Sequence, residues 1–280
     1  MINLCFDFMR KAKWIWERIR EADEYGLCFG EETITETLLM WLKRAHPTKI
    51  HVQAFTKKTE RKNGADWEWW IGRDGNWIGM RVQAKRIKLP SEQYESLFYK
   101  YDKPVGPETQ IENLIEKAEQ DNLIPIYALY THSKIHLPMP ANMCICKMLD
   151  VQSQALNGCL IVHAQDVQLR GSKKLSDIHP FSFPWHCLVC PCIKNDGRHP
   201  PKGPADSIFS MLRESGDVLR EDSVKDREGR RVMFEPLNEL PEYMQILKSG
   251  DDPKGKYLQK RAAERDIAGH ALLDLGELDG

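Results

Sequence analysis

A β-hairpin in the first third of the chain is the feature that most constrains its fold. Two segments that read as adjacent strands lie on either side of Asp74-Gly75, a dipeptide that favours a tight turn between two strands. We predict the first strand over residues 66–71, the turn over 72–76, and the second strand over about 77–87.

Polar side chains share one face of this hairpin. Successive side chains of a strand alternate between its faces, so Asp66 and Glu68 point to the same side. Gln83 and Lys85 likewise point together, while the apolar residues between them point away. Carboxylate, amide oxygen and ammonium are the groups that hold a hard divalent cation and neutralise a phosphodiester in its transition state. Glu68 is either an accessory metal ligand or a partner of Lys85 or Arg81 across the hairpin.

The segments around the hairpin predict an α/β protein. Apolar residues at helical spacing predict helices over residues 31–44 and 108–120. A short strand is predicted over residues 50–56, and a strongly apolar one over 124–130. The resulting order is helix, three strands, helix, strand.

Asp66 followed by Gln83-Ala84-Lys85 resembles the motif of the PD-(D/E)xK nuclease superfamily, in the QxK variant of Mrr-type restriction enzymes. The resemblance covers roughly residues 31–130. It implies a restriction-endonuclease-like αβββαβ core with a mixed central sheet, in agreement with the order of elements above. It also implies metal-dependent hydrolysis of phosphodiester bonds.

The resemblance implies a set of site residues. Asp66 and Gln83 would be metal ligands for Mg²⁺ or Mn²⁺, and Lys85 would be the catalytic lysine. A glutamate on the preceding helix would complete the catalytic site and bind the metal. Glu32 best fits this position, and Glu36, one turn further along the same helix face, is its rival. Glutamine in place of the usual acid leaves one negative charge fewer, which should weaken metal binding without substrate.

Other polar and aromatic residues near the hairpin have two interpretations each. Gln110 begins the second helix and His132 follows the last core strand, so either can contact substrate phosphates or serve as a capping or surface residue. Trp67, Trp69, Trp70 and Trp77 could form a base-stacking platform. Alternation puts Trp67 and Trp69 opposite the catalytic face, which favours packing in the core.

Charge is unevenly distributed along the chain, although the net charge is only −1. Residues 43–88 hold twelve Lys or Arg against four Asp or Glu, whereas residues 91–122 hold eight acidic residues against three basic ones. The basic segment either attracts phosphates or is a solvated surface. The resemblance implies a nucleic-acid partner, DNA in preference to RNA, in bacterial defence. A second copy of the chain or another defence protein as partner is left open.

Cysteine content and apolar runs bear on compartment and metal content. No apolar run approaches the roughly 20 residues of a membrane span, and residues 1–20 lack the features of a secretory signal. We therefore predict a cytoplasmic protein without membrane association, whose eight cysteines are reduced. Cys187 and Cys190 have the spacing of half a zinc site, with Cys192 close by. Their apolar surroundings indicate buried thiols and argue against zinc.

The chain divides into three predicted parts. These are an N-terminal helix over residues 1–30, a nuclease-like core over 31–135, and a C-terminal α+β extension of unknown role over 136–280. Within the extension we predict strands over 159–163 and 185–190 and a helix over 205–213. Two alternatives to a nuclease remain: a non-catalytic nucleic-acid-binding or interaction protein on a nuclease-like fold, and a zinc-stabilised interaction module.

Overall fold

The computed structural model describes residues 2–55, 67–101, 106–137, 154–190, 203–217 and 235–276. Within these ranges the chain has a mixed α/β fold, in which one seven-stranded sheet is accompanied by eight α-helices. No helix in the described ranges is both long and apolar enough to cross a membrane.

The α-helices are α1 (Ile2–Glu24), α2 (Glu31–Ala45), α3 (Gln110–Gln120), α4 (Ala164–Arg170), α5 (Leu175–Ile178), α6 (Pro204–Ser215), α7 (Glu242–Ser249) and α8 (Lys256–Arg265). The strands are β1 (Ile50–Ala54), β2 (Trp67–Arg73), β3 (Asn76–Arg86), β4 (Ile124–Tyr130), β5 (Cys159–His163), β6 (Phe183–Pro184) and β7 (Gly269–Asp274). Short 3-10 helices cover Gln154–Gly158, His179–Phe181 and Trp185–Val189.

The predicted order of helix, three strands, helix and strand is confirmed by α2, β1, β2, β3, α3 and β4. α2 has acidic residues in its first turn and basic residues in its last, an arrangement that favours the helix dipole at both ends. α3 begins with a capping box, in which Thr109 and Glu112 satisfy each other's backbone N–H groups. The apolar run of β4 is explained by its position, since all seven of its residues are buried.

The sheet is mixed and has the strand order β1-β7-β2-β3-β4-β5-β6. β2 and β3 are antiparallel, and β3 and β4 are parallel. β7 lies between β1 and β2, antiparallel to β1 and parallel to β2. The sequence predicted no strand at this position. The C-terminal part of the chain therefore supplies the strand directly beside the hairpin.

Hydrogen bonds of the sheet cross one of the predicted boundaries between parts of the chain. β5 pairs with β4, and β7 with β1 and β2, so strands beyond residue 135 share the sheet with strands before it. α1 also contacts a distant segment, because the indole N–H of Trp185 donates to the carbonyl of Phe8 at 2.8 Å. The division at residues 30 and 135 itself stays a prediction.

The predictions for the C-terminal part are confirmed at two places and wrong at a third. β5 and α6 form where a strand and a helix were predicted. The strand predicted over residues 185–190 is instead a 3-10 helix at Trp185–Val189. Strand pairing ends at Pro184, which has no N–H to donate to a ladder.

The central hairpin has a tighter turn than predicted. Arg73 pairs with Asn76, which leaves only Asp74-Gly75 as the loop. Gly75 has φ of +80°, a conformation that glycine adopts without the steric penalty of a side chain. The predicted turn over residues 72–76 is therefore too wide, because β2 continues to Arg73 and β3 begins at Asn76.

Candidate functional site

The pairing of β2 with β3 fixes which side chains share a face. Glu68 lies opposite Arg81, so Glu68, Arg81, Gln83 and Lys85 all belong to one face, as the alternation predicted. Trp67 and Trp69 belong to the other face, where they are buried in the main apolar cluster. The prediction that both tryptophans are core residues is confirmed.

Lys85 lies near the carboxyl end of β3 and is held by the start of α3. Its side chain is buried, and its Nζ donates a hydrogen bond to Gln110 Oε1 at 2.5 Å. Gln110 is the first residue of α3, so two residues that the sequence singled out separately are in direct contact. We call Gln83, Lys85 and Gln110 the Lys85 group.

Gln83 precedes Lys85 by two residues on the same face of β3. Its side chain is 1% exposed, and neither Oε1 nor Nε2 has a hydrogen-bond partner among the residues that the structure describes. A buried amide without a partner costs on the order of 1–3 kcal/mol. An oxygen of this kind suits a hard cation such as Mg²⁺ or Mn²⁺, and so the Gln83 carbonyl fits the predicted role of metal ligand.

Asp66 lies outside the described residues, one position before the start of β2. Its predicted place beside Gln83 and Lys85 therefore stays a prediction. Among the described residues, no three His, Cys, Asp or Glu side chains form a group that could hold a metal ion.

The two helix glutamates predicted as ligands are exposed. Glu32 and Glu36 are both on the solvent side of α2. Their role as ligands stays a prediction. A third carboxylate of this helix contacts the strand, since Glu31 Oε1 accepts a hydrogen bond from the backbone N–H of Arg86 at 3.1 Å. Arg86 directly follows Lys85, and this places Glu31 at the end of β3.

Sequence reasoning missed Glu31, although its spacing contains a usable signal. Residues four apart on a helix lie on one face, and Thr35 is buried, with its hydroxyl 2.7 Å from that of Tyr130. Glu31 continues the line of Leu38 and Thr35 towards the helix start. Choosing the glutamate on the buried side of α2 would have selected Glu31.

Glu68 is a buried residue on the same face of the sheet as Gln83 and Lys85. Its side chain is fully buried, and Oε1 accepts hydrogen bonds from the indole of Trp70 and the hydroxyl of Tyr243. Its Oε2 accepts from Nε of Arg265 at 2.8 Å. Of the two predicted roles, pairing with a cation is therefore observed, but with Arg265 of α8 rather than with Lys85 or Arg81.

The charges around Glu68 form a network of two carboxylates and two guanidinium groups. Asp121 accepts a hydrogen bond from Arg81 at 3.2 Å and forms an ion pair with Arg265 at the same distance. Arg81 also donates to the backbone carbonyl groups of Arg265 and Asp266. Burial raises the pKa of Asp121 and lowers the pKa of Arg81, and the opposite charges of the partners counter both shifts. The network ties α8, and thereby β7, to the hairpin.

His132 is buried against α1. Its Nδ1 lies 3.1 Å from the carbonyl oxygen of Trp16, and the two rings are 4.6 Å apart. Burial lowers the pKa of His132, so the neutral ring donates its N–H to this carbonyl. The observed contacts of His132 are those of a packing residue, and its contact with phosphates stays a prediction.

The cysteines of the Cys-x-x-Cys segment are buried and are in no disulfide where the structure describes them. Cys187 is in a 3-10 helix and Cys190 ends it, and both were predicted to be buried and reduced. Cys192 lies outside the described residues. The interpretation of these cysteines as small core residues is thus supported for the two of them that can be seen.

Fold and site define a class of protein: a mixed α/β protein in which β3 holds a buried lysine and, within the described part of the chain, a buried amide without a hydrogen-bond partner. Comparison with sequence families places the chain more closely. The profile of a family of unknown function, DUF6615, matches residues 4–271, and the chain belongs to this family. Comparisons with curated proteins and with solved structures found no match.

Proposed function

We propose that this protein is a metal-dependent nuclease of the PD-(D/E)xK type, which hydrolyses phosphodiester bonds of DNA in preference to RNA. The observation that carries the proposal is the Lys85 group. It combines a buried ammonium with an amide oxygen that has no hydrogen-bond partner among the described residues, both on one face of β3, as the Gln-x-Lys motif implies.

The arrangement of elements also supports the proposal. α2, β1, β2, β3, α3 and β4 follow the αβββαβ order of restriction-endonuclease-like proteins, with β2–β3 antiparallel and β3–β4 parallel. The insertion of β7 between β1 and β2 is a feature of this chain's own sheet. The insertion lies on the side of β2 away from β3, so it leaves the Gln-x-Lys strand and its neighbour β4 together.

In the proposed reaction the side chains have separate roles. Asp66, Gln83 and a carboxylate of α2 would hold Mg²⁺ or Mn²⁺, which supplies charge neutralisation and a more acidic bound water. For that carboxylate, Glu31 joins Glu32 and Glu36 as a candidate because it contacts β3. Lys85 would stabilise the negative charge that develops on the phosphate, and its burial strengthens this interaction.

Cleavage of supercoiled plasmid DNA with Mg²⁺ or Mn²⁺ tests the proposal directly, with RNA as a parallel substrate. Lys85→Ala should lower the rate by on the order of 10²-fold or more, as loss of an oriented electrostatic group commonly does. Asp66→Ala should abolish both cleavage and metal binding. Lys100→Ala is the matched control, because Lys100 is an exposed lysine in the segment before α3.

Two outcomes would count against the proposal. If Lys85→Ala cleaves as well as the parent, the lysine is structural. If the parent binds DNA without cleaving it under either metal, the protein is the non-catalytic binding protein considered above. Circular dichroism and thermal melts of each variant separate loss of chemistry from loss of fold.

A further inference from the structure

The hydrogen bond between Lys85 and Gln110 has a fixed direction. An ammonium group only donates, so Gln110 must present its carbonyl oxygen to Lys85 Nζ, 2.5 Å away. The amide oxygen carries a partial charge but no full one. It can therefore hold the ammonium in place without cancelling its positive charge. A carboxylate at the same position would cancel that charge.

Several contacts hold the start of α3, and with it Gln110, in place. The capping box of Thr109 and Glu112 lies on either side of it, with hydrogen bonds of 3.3 and 2.9 Å. The backbone N–H of Gln110 donates to the carbonyl of Tyr99 at 2.8 Å. The next residue, Ile111, is buried in the main apolar cluster. These contacts fix the backbone at the start of α3, and the backbone in turn limits where the Gln110 amide can lie.

A flexible lysine side chain needs a fixed acceptor to hold its ammonium in one position. Its four-carbon stem has about 2 kcal/mol of rotamer entropy, and a misplacement of about 1 Å at a reacting centre can lower a rate about 10²-fold. Lys85 is 7% exposed, so its ammonium has little water to replace a lost protein acceptor. Removing the Gln110 oxygen would take away an acceptor of this ammonium and leave its position less well defined.

We propose that Gln110 is a positioning residue for Lys85: its side-chain oxygen holds the ammonium over the carboxyl end of β3, and Gln110 acts on the substrate through Lys85 alone. This inference rests on the nuclease activity proposed above. It differs from the earlier expectation that Gln110 contacts a phosphate, because the two roles predict different kinetics. A positioning residue changes kcat, whereas a residue that binds the ground-state phosphate changes KM.

The first test is kinetic, with Gln110→Leu as a variant of similar size that lacks the acceptor. We expect kcat for plasmid cleavage to fall about 10- to 100-fold while KM stays within about threefold. In the Lys85→Ala background, Gln110→Leu should change the residual rate by less than about twofold, since a residue that acts only through Lys85 has nothing left to position. Gln120→Leu, at the exposed end of the same helix, is the control.

The second test does not depend on activity. The ¹H–¹⁵N signal of a protected lysine ammonium is visible when the group is held by an acceptor away from water. We expect such a signal in the parent, its absence in Lys85→Arg, which assigns it, and its loss in Gln110→Leu but not in Gln120→Leu. Persistence of the Lys85 signal in Gln110→Leu would overturn the inference.

The outcomes separate this inference from the proposed function. A parent that cleaves no nucleic acid under either metal overturns both. A parent that cleaves, with Lys85→Ala inactive and Gln110→Leu unchanged in kcat, overturns only the positioning role. Equal effects of Gln110→Leu in the parent and in Lys85→Ala would show that Gln110 acts on its own, and would also overturn it.

Discussion

Gln83 is a buried amide that makes no hydrogen bond within the described part of the chain. Because such an amide loses its bonds to water on folding, it lowers the stability of the protein on the order of 1–3 kcal/mol. A leucine would fill nearly the same space without this cost. A leucine at this position would favour stability, whereas a glutamine can bind a ligand. The glutamine is explained if its amide oxygen binds a cation.

Substitutions at Gln83 test this explanation. Gln83→Leu should leave the metal-free protein as stable as the parent or more so, and should abolish the rise in Tm that Mn²⁺ produces. Gln83→Glu should lower metal-free stability, since it buries a carboxylate, and should enlarge the rise in Tm with Mn²⁺. Thermal melts with and without Mn²⁺, and calorimetric titration of the ion, measure both effects. Equal metal responses of all three proteins would show that Gln83 binds no metal.

The residues of the site were accessible from the sequence to different degrees. Gln83 and Lys85 could be placed on one face because the period of a strand is fixed at two. The contact of Lys85 with Gln110 was not predictable, since it depends on how α3 crosses the sheet. Glu31 was missed because every glutamate in the first turns of α2 has the same chemistry, and only burial distinguishes them.

At the scale of elements, the network around Glu68 and Arg265 connects the C-terminal helix to the hairpin. Glu68 is fully buried, and Arg265 is 12% exposed. Breaking a buried ion pair by removing one partner leaves an uncompensated charge, which typically costs 3–5 kcal/mol. The hydrogen bonds of Arg81 to the end of α8 add to the same connection.

Arg265→Ala should therefore lower the free energy of unfolding by about 3–5 kcal/mol, because it leaves the Glu68 carboxylate buried and unpaired. The measurement is the midpoint of urea unfolding followed by tryptophan fluorescence. Lys260→Ala is the control, since Lys260 is 77% exposed and lies 4.0 Å from its acidic neighbour, and it should change stability by less than about 0.5 kcal/mol. A small effect of Arg265→Ala would mean that the Glu68–Arg265 pair contributes little to stability and that other contacts hold α8.

The strength of the local sequence pattern explains which elements could be predicted from the sequence. α2, α3, the hairpin and β4 have strong periodic patterns, and each was predicted from the sequence, although the turn of the hairpin is tighter than predicted. β7 has the short sequence Gly-His-Ala-Leu-Leu-Asp, without alternation, and its partners are β1 and β2 at the other end of the chain. Pairing between strands so far apart is decided by the tertiary fold, so the local pattern did not reveal it.

At the scale of the whole molecule, three buried histidines link the fold to pH. His163, His186 and His270 are almost fully buried, and none of their ring nitrogens has a hydrogen-bond partner in the described ranges. Burial disfavours the charged ring and lowers the pKa of His163 to about 3, and those of His186 and His270 to about 4. In the unfolded chain a histidine has its ordinary pKa of about 6.5.

These shifts set the sign of the pH dependence. Between pH 6.5 and 4 the unfolded chain binds protons at these positions and the folded chain does not, so stability falls as pH falls through this window. Each of the three histidines contributes up to about 1.4 kcal/mol per pH unit within it.

Urea unfolding at pH 7 and pH 5 should therefore give a markedly lower midpoint at pH 5. His163→Phe should reduce this difference, because Phe has no proton to bind, whereas substitution of the exposed His136 by Gln should leave it unchanged. An equal loss of stability between pH 7 and 5 in the parent and in His163→Phe would show that His163 is not among the groups that destabilise the fold in acid.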